Sequence, residues 1–172
     1  MAVCRWFTAF LLLLVGVGPA AAQQWVEHRP AGAGYRVEFP AAPTVEVEDV
    51  PSDYGPMKTT TAELDVKALA LMASDTVLPS AAAGASPASI LDGFRDGMVR
   101  ESQCDLRRER RMTIGGATAR RLVMDCGGGK AVATAILAIK AGRLYNITAV
   151  VVQGEDGDAD ARRFLDSFAL TP

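Results

Sequence analysis

CDLRRERRMTIGGATARRLVMDC, residues 104–126, reads as two extended runs folded back on Gly115-Gly116 with a cysteine at each outer end. Opposed residues in an antiparallel pair have a constant index sum, and Cys104 with Cys126 sum to 230, which centres the turn on Gly115. Gly115 and Gly116 take positive φ without a Cβ clash, as tight hairpin connections require. A two-residue turn on this pair gives a sum of 231, so the cysteines and glycines together demand an odd-membered loop or a β-bulge. Opposed Cα atoms of strands lie within disulfide reach, and closing a loop of this length adds about 3 kcal/mol in the chain-entropy model. The cysteine register places Glu109 opposite Arg121, Arg110 opposite Arg120 and Asp105 opposite Asp125.

Like charges directly opposed weaken a sheet, so the fold alone does not ask for Arg107, Arg108, Arg110, Arg111, Arg120 and Arg121 together. Two readings stand. One is a docking site for an anionic partner: an acidic protein face, a phosphate or a lipid headgroup. The other is a solvated arm whose charges discourage edge-to-edge pairing.

Outward from the hairpin, the N-terminus has Arg5, an almost wholly apolar run from Phe7 to Gly18, then PAAA and Gln23-Gln24. This is the order of a secretory signal peptide over residues 1–22, with Ala20 and Ala22 at the cleavage positions. Its apolar run is too short to span a bilayer comfortably, and no second such run follows, so no transmembrane anchor is expected after cleavage. Cleavage leaves residues 23–172, one domain of 150 residues with 17 basic and 20 acidic side chains, net charge −3. That balance argues against a nucleic-acid binder. It also leaves two cysteines, which in an oxidising compartment read as the Cys104–Cys126 disulfide. With His28 the sole histidine, no structural zinc site can be assembled.

Trp25 to Pro30 reads as a short lead-in, which puts His28 on a mobile segment. Tyr35 to Phe39 alternates strictly, as a half-buried strand does, and Val45 to Glu48 repeats the pattern. Lys58 to Val66 alternates again; Lys67 to Val77 is apolar on both faces, with a glycine-free hairpin near Val66 to Ala68. Ser86-Pro87 is an N-cap and first helical proline, opening a helix to about Glu101 on Ile90, Leu91, Phe94 and Met98. Gly93 and Gly97 on it predict close approach of a neighbouring strand. Ala131 to Ile139 and Leu144 to Val152 predict the buried centre of the sheet. Asp158 is expected to cap a final helix carrying Ala161, Phe164, Leu165 and Phe168.

GYRVEFP at 34–40 with Pro43, Arg143-Leu144-Tyr145 on a late strand, and FLDSF at 164–168 resemble exported bacterial proteins of the PsbP-like type. The resemblance spans nearly the whole mature chain. It implies an α+β fold, an α/β/α sandwich with a central, mainly antiparallel sheet flanked by helices. It implies an accessory or assembly role, like that of the oxygen-evolving-complex extrinsic subunit that names the group, and carries no catalytic residues to transfer.

Catalytic and nucleotide motifs fail on their spacing. GGGK at 127–130 lacks the first glycine and the Ser or Thr of a Walker loop, having Met124 and Ala131 there. Asp156, Asp158 and Asp160 start like a calcium loop, but its glycine and terminal glutamate are missing. Serine or cysteine catalysis would need His28 in fixed geometry. The expected function is that of a periplasmic or secreted, cofactor-free and non-catalytic binding or accessory protein. Its expected partner is an envelope protein or anionic surface met through the six arginines. The alternatives are a carrier of a small apolar or lipidic ligand, held between the sheet and the Pro87 helix beside Ala131, Ala133, Ala135 and Ala138, and a carboxylate hydrolase.

Overall fold

A computed structural model describes residues 24–52, 55–154 and 157–172. The expected signal peptide and Asp156 lie outside these described residues. In chain order the elements are β1 (Val26–His28), β2 (Tyr35–Phe39), β3 (Thr44–Val50), β4 (Met57–Val66), β5 (Leu69–Val77), α1 (Pro87–Ser102), β6 (Asp105–Ile114), β7 (Ala117–Cys126), β8 (Ala131–Lys140), β9 (Arg143–Val152), α2 (Asp158–Ser167) and β10 (Ala169–Leu170).

Gly115 and Gly116, at φ 54° and 77°, turn β6 into β7. The pairing sum is 231 from Ile114↔Ala117 out to Arg108↔Val123, then 230 at Leu106↔Met124 and Asp105↔Asp125. A bulge at Arg107 takes up the difference, so the two-residue turn and the disulfide are both satisfied. Cys104 and Cys126 are bonded with their Cα atoms 4.4 Å apart. One expectation from the cysteines changes inside the bulge: Glu109 faces Leu122, Arg110 faces Arg121, and Arg111 faces Arg120.

Seven antiparallel strands follow in the order β3-β4-β5-β9-β8-β7-β6, and β1-β2-β10 form a small separate sheet. The apolar strands β8 and β9 lie inside the large sheet, as their two-sided hydrophobicity requires. The hairpin between β4 and β5 turns without glycine because Lys67 adopts φ 49°.

Alternation divides the core between the two faces. On one, Leu91 of α1 packs with Leu122, Met124, Ala133, Ala135, Leu137, Ile139 and Leu144. On the other, β2 and α2 bring Val37, Phe39, Phe164 and Leu165 against Leu71, Ala119, Ile136, Ala138 and Ile147. Leu91, Phe39 and Phe164 have no exposed surface, and each contributes about 1.5–3 kcal/mol by leaving water. The result is an α+β fold: a mostly antiparallel sheet with two helices.

Ser86 accepts a 3.1 Å hydrogen bond from the Ser89 amide and caps α1 as its sequence indicates. Gly93 and Gly97 do not mark a close strand. A Cβ at Gly93 would meet nothing within 4 Å, and one at Gly97 only the end of Arg100 at 3.9 Å. The helix turns its Leu91 stripe to the sheet, which leaves both glycines away from it. Asp158 is the first residue of α2 and not its cap; Gly157 holds that position without a side-chain bond. Asp158 and Asp160 still lie in the first turn, where the helix dipole favours them.

Gly34 is the position where glycine matters most for packing. Its φ is 74°, and a Cβ there would sit 3.1 Å from Tyr145 Oη, which donates a 3.0 Å hydrogen bond to the Ala33 carbonyl. Gly34→Ala is expected to lower the unfolding free energy by about 1–2 kcal/mol. A urea midpoint within error of wild type would refute this.

Candidate functional site: the arginine hairpin

Successive residues of β6 and β7 point to opposite faces, so the arginine run is divided by geometry. Arg111 and Arg120 lie on the α1 side, Arg108, Arg110 and Arg121 on the α2 side, and Arg107 sits at the bulge.

Arg120 is not available to a partner, for it is only 2% exposed. Its Nη1 donates to Asp92 of α1 and to Glu109 of β6, and its Nη2 donates to the Ala88 carbonyl at 3.1 Å. Arg95 closes the network, with Nη1 2.9 Å from both Asp92 and Glu109 and a further contact to Asp96 at 2.8 Å. Burial, the largest influence on the Arg120 pKa, acts downward, but hydrogen bonds and charges from Asp92 and Glu109 raise it overall. The hydrogen bond from Arg120 in turn holds the Asp92 carboxyl below its ordinary value. Arg120 therefore fastens α1 to the sheet. An arginine is what a buried cation in a carboxylate cage has to be, since its planar fork reaches three acceptors at once.

The remaining arginines differ in their surroundings. Arg107 pairs with Asp125 at 2.7 Å across the bulge. Arg121 lies 3.9 Å from Asp166 of α2 and is half-buried. Among the described residues, no carboxylate lies within 4 Å of the exposed Arg108, Arg110 or Arg111. Arg110 stands directly opposite Arg121 on one face with Arg108 beside them. The six-arginine cluster thus resolves into one structural cation, one bulge pair, the exposed Arg111 on the α1 side, and an α2-side face carrying three.

Next to that face is a cavity of about 270 Å³ between the sheet and α2. Val132, Ala149 and Val151 form its floor, with Arg121 and Arg162 among its walls. It is not under the Pro87 helix, where Ala133 and Ala135 pack tightly against the Leu91 cluster. Ala138 belongs to the opposite face.

A second polar cluster is invisible in the sequence. His28 is not on a mobile lead-in: it is part of β1, paired with Val37, with its ring 6.1 Å from Tyr35 and 5.9 Å from Phe39. Asp75 is 2% exposed and accepts from Arg143, and it faces Tyr145 across β5 and β9. Burial pushes the Asp75 carboxyl up, against the charge and hydrogen bond of Arg143. Burial also pushes the Tyr35 and Tyr145 phenols up, with Asp75 adding to both. These residues come from three separate stretches of the chain, Asp75 and Arg143 being 68 positions apart, and no local spacing signals them.

No protein-family model matches the chain, and no curated protein does either. Solved structures do match its shape. The solution structure of cyanobacterial PsbP (CyanoP) from Synechocystis sp. PCC 6803 covers 91% of this chain and 98% of its own, with TM-score 0.57 and 13% identity. A Pseudomonas aeruginosa protein of unknown function covers 79% of this chain and 85% of its own, at TM-score 0.36 and 12% identity. Near-complete mutual coverage with CyanoP, over a mostly antiparallel sheet with two helices, shows that the chain has a PsbP-like fold.

Proposed function

We propose that this protein is an exported, non-catalytic accessory module that docks an acidic envelope protein on the α2-side face of its arginine hairpin. The observation that carries the reading is the direct opposition of Arg110 and Arg121, flanked by Arg108, on an exposed part of the sheet. Opposed like charges cost stability in the free protein, and carboxylates docked across them remove that cost through charge-assisted hydrogen bonds. Export is supported by the signal-like residues 1–22 and by a disulfide, which persists in oxidising compartments such as the periplasm or the extracellular space. In finer architectural terms we read the fold as an α/β/α sandwich thin in helix, with α1 over one face and α2 over the other.

The test compares capture from envelope extract by wild type, by Arg110→Glu with Arg121→Glu, and by Arg111→Glu on the opposite face. The double reversal is expected to lose a partner by tenfold or more while its melting temperature holds. Arg111→Glu is expected to keep it. Equal loss with both variants, or none with either, rejects the α2-side face.

A second reading is favoured by the cavity beside that face. Its aliphatic floor, and two flanking arginines against the single carboxylate of Asp158, suit a small amphipathic anion, which makes a carrier role the runner-up. Mass spectrometry of solvent-extracted protein decides it: a co-purifying lipid supports the carrier and a clean extract counts against it.

A further inference from the structure

Three buried side-chain atoms are left without a hydrogen-bond partner where β1 and β2 meet the large sheet: His28 Nε2, Tyr35 Oη and Asp75 Oδ1. They share one neighbourhood. The His28 and Tyr35 rings are 6.1 Å apart, Tyr35 packs edge-on to Tyr145 at 5.7 Å, and Tyr145 stands opposite Asp75. Buried polar groups left unsatisfied are costly, and native structures avoid the cost by placing water among them.

We propose that His28, Tyr35 and Asp75 form a closed binding site for one water molecule, and that this site is a proton-operated latch on strand β1. The donors and acceptors match in number. The Tyr35 hydroxyl donates to the water, and the water donates to Asp75 Oδ1 and to Nε2 of neutral His28. β1 is only three residues long and pairs with β2 alone; its side-chain ties include the contacts of the His28 ring with Tyr35 and Phe39 and the exposed Glu27–Arg36 ion pair at 3.5 Å, while Arg163 stacks on the preceding Trp25, 4.2 Å from the ring centroid.

Protonation undoes the arrangement. The rings against His28 are Tyr35 and Phe39 on β2, and the charged group that acts on it is Asp75 on β5, behind which stand Arg143 and Tyr145 on β9. The one carboxylate among them is already engaged by Arg143, so an imidazolium gains little compensation for its lost hydration. Nε2 also becomes a donor, which leaves one water O–H without an acceptor. In agreement, burial lowers the His28 pKa from 6.5, the attraction of Asp75 notwithstanding. The sign follows: a released strand binds the proton more readily, so docking of β1 is fully favoured above about 6.5 and weakens as pH falls below it.

Trp25 reports the latch, since the other tryptophan, Trp6, lies in the expected signal peptide. For the chain from Gln23 onward, acidification from about pH 7.5 to 5.5 is expected to move the Trp25 emission to longer wavelength. Amide exchange in β1, corrected for intrinsic rate, should rise about tenfold for each pH unit by which the docked His28 titrates below the free value. His28→Gln is expected to abolish both responses. A flat wild type, or a His28→Gln protein that still responds, overturns the latch. A crystal structure near pH 7.5 without a water bonded to all three atoms overturns the site.

Discussion

Arg120→Ala is expected to destabilise the protein by about 3 kcal/mol, whereas Arg110→Ala, one strand away in the same arginine run, stays within about 0.5 kcal/mol of wild type. The difference is entirely one of environment. Arg120 is 2% exposed and bridges Asp92, Glu109 and the Ala88 carbonyl; Arg110 is exposed and has no carboxylate within 4 Å among the described residues. Removing Arg120 leaves Glu109, only partly exposed, to Arg95 alone, and detaches the first turn of α1 from the sheet. The acids' partial solvent exposure keeps the loss below that of a fully enclosed pair. Because a well-packed apolar replacement can match a buried ion pair, Arg120→Met with Glu109→Leu should recover part of the loss. Urea denaturation measures all three; equal midpoints for Arg120→Ala and Arg110→Ala would sink the assignment of Arg120 to the core.

Loss of the disulfide is expected to rank next. Replacing Cys104 and Cys126 with alanine opens a loop with a sequence separation of 22, worth about 3 kcal/mol in the chain-entropy model. The structural consequence is local and specific. The glycine turn imposes a sum of 231 and the disulfide end holds 230, with the mismatch taken up at Arg107. Without the covalent tie, the turn's register is free to run outward, so the amides of Asp105, Leu106 and Arg107 should shift in NMR spectra while those of Thr113 and Thr118 stay put. A variant that keeps the bulge and loses under about 1 kcal/mol would show that pairing and Arg107–Asp125, at 2.7 Å, suffice to hold it.

Both expectations concern a hairpin that a reader of the sequence sees at once, yet its arginines have opposite fates. The division turns on one residue. With the cysteine sum extended through the whole hairpin, Arg110 faces Arg120; with the bulge, Arg110 faces Arg121 and Arg120 rotates under α1. A one-residue slip exchanges the faces of a strand, and no composition or charge count reports where the slip occurs. The buried Arg120 is legible only once Asp92, 28 positions earlier, has been brought over it by the helix.

The PsbP-like fold, the two helices, the hairpin turn and the cysteine pairing were determined by the sequence itself, because each rests on a local signal: alternation, helical spacing, a proline after a capping serine, paired glycines. Burial of Arg120, the direct opposition of Arg110 and Arg121 and the convergence of His28, Tyr35 and Asp75 were decided by tertiary structure alone. Charge and desolvation depend on neighbours distant in the chain, and those neighbours exist only after the strands have chosen their register and the helices their faces.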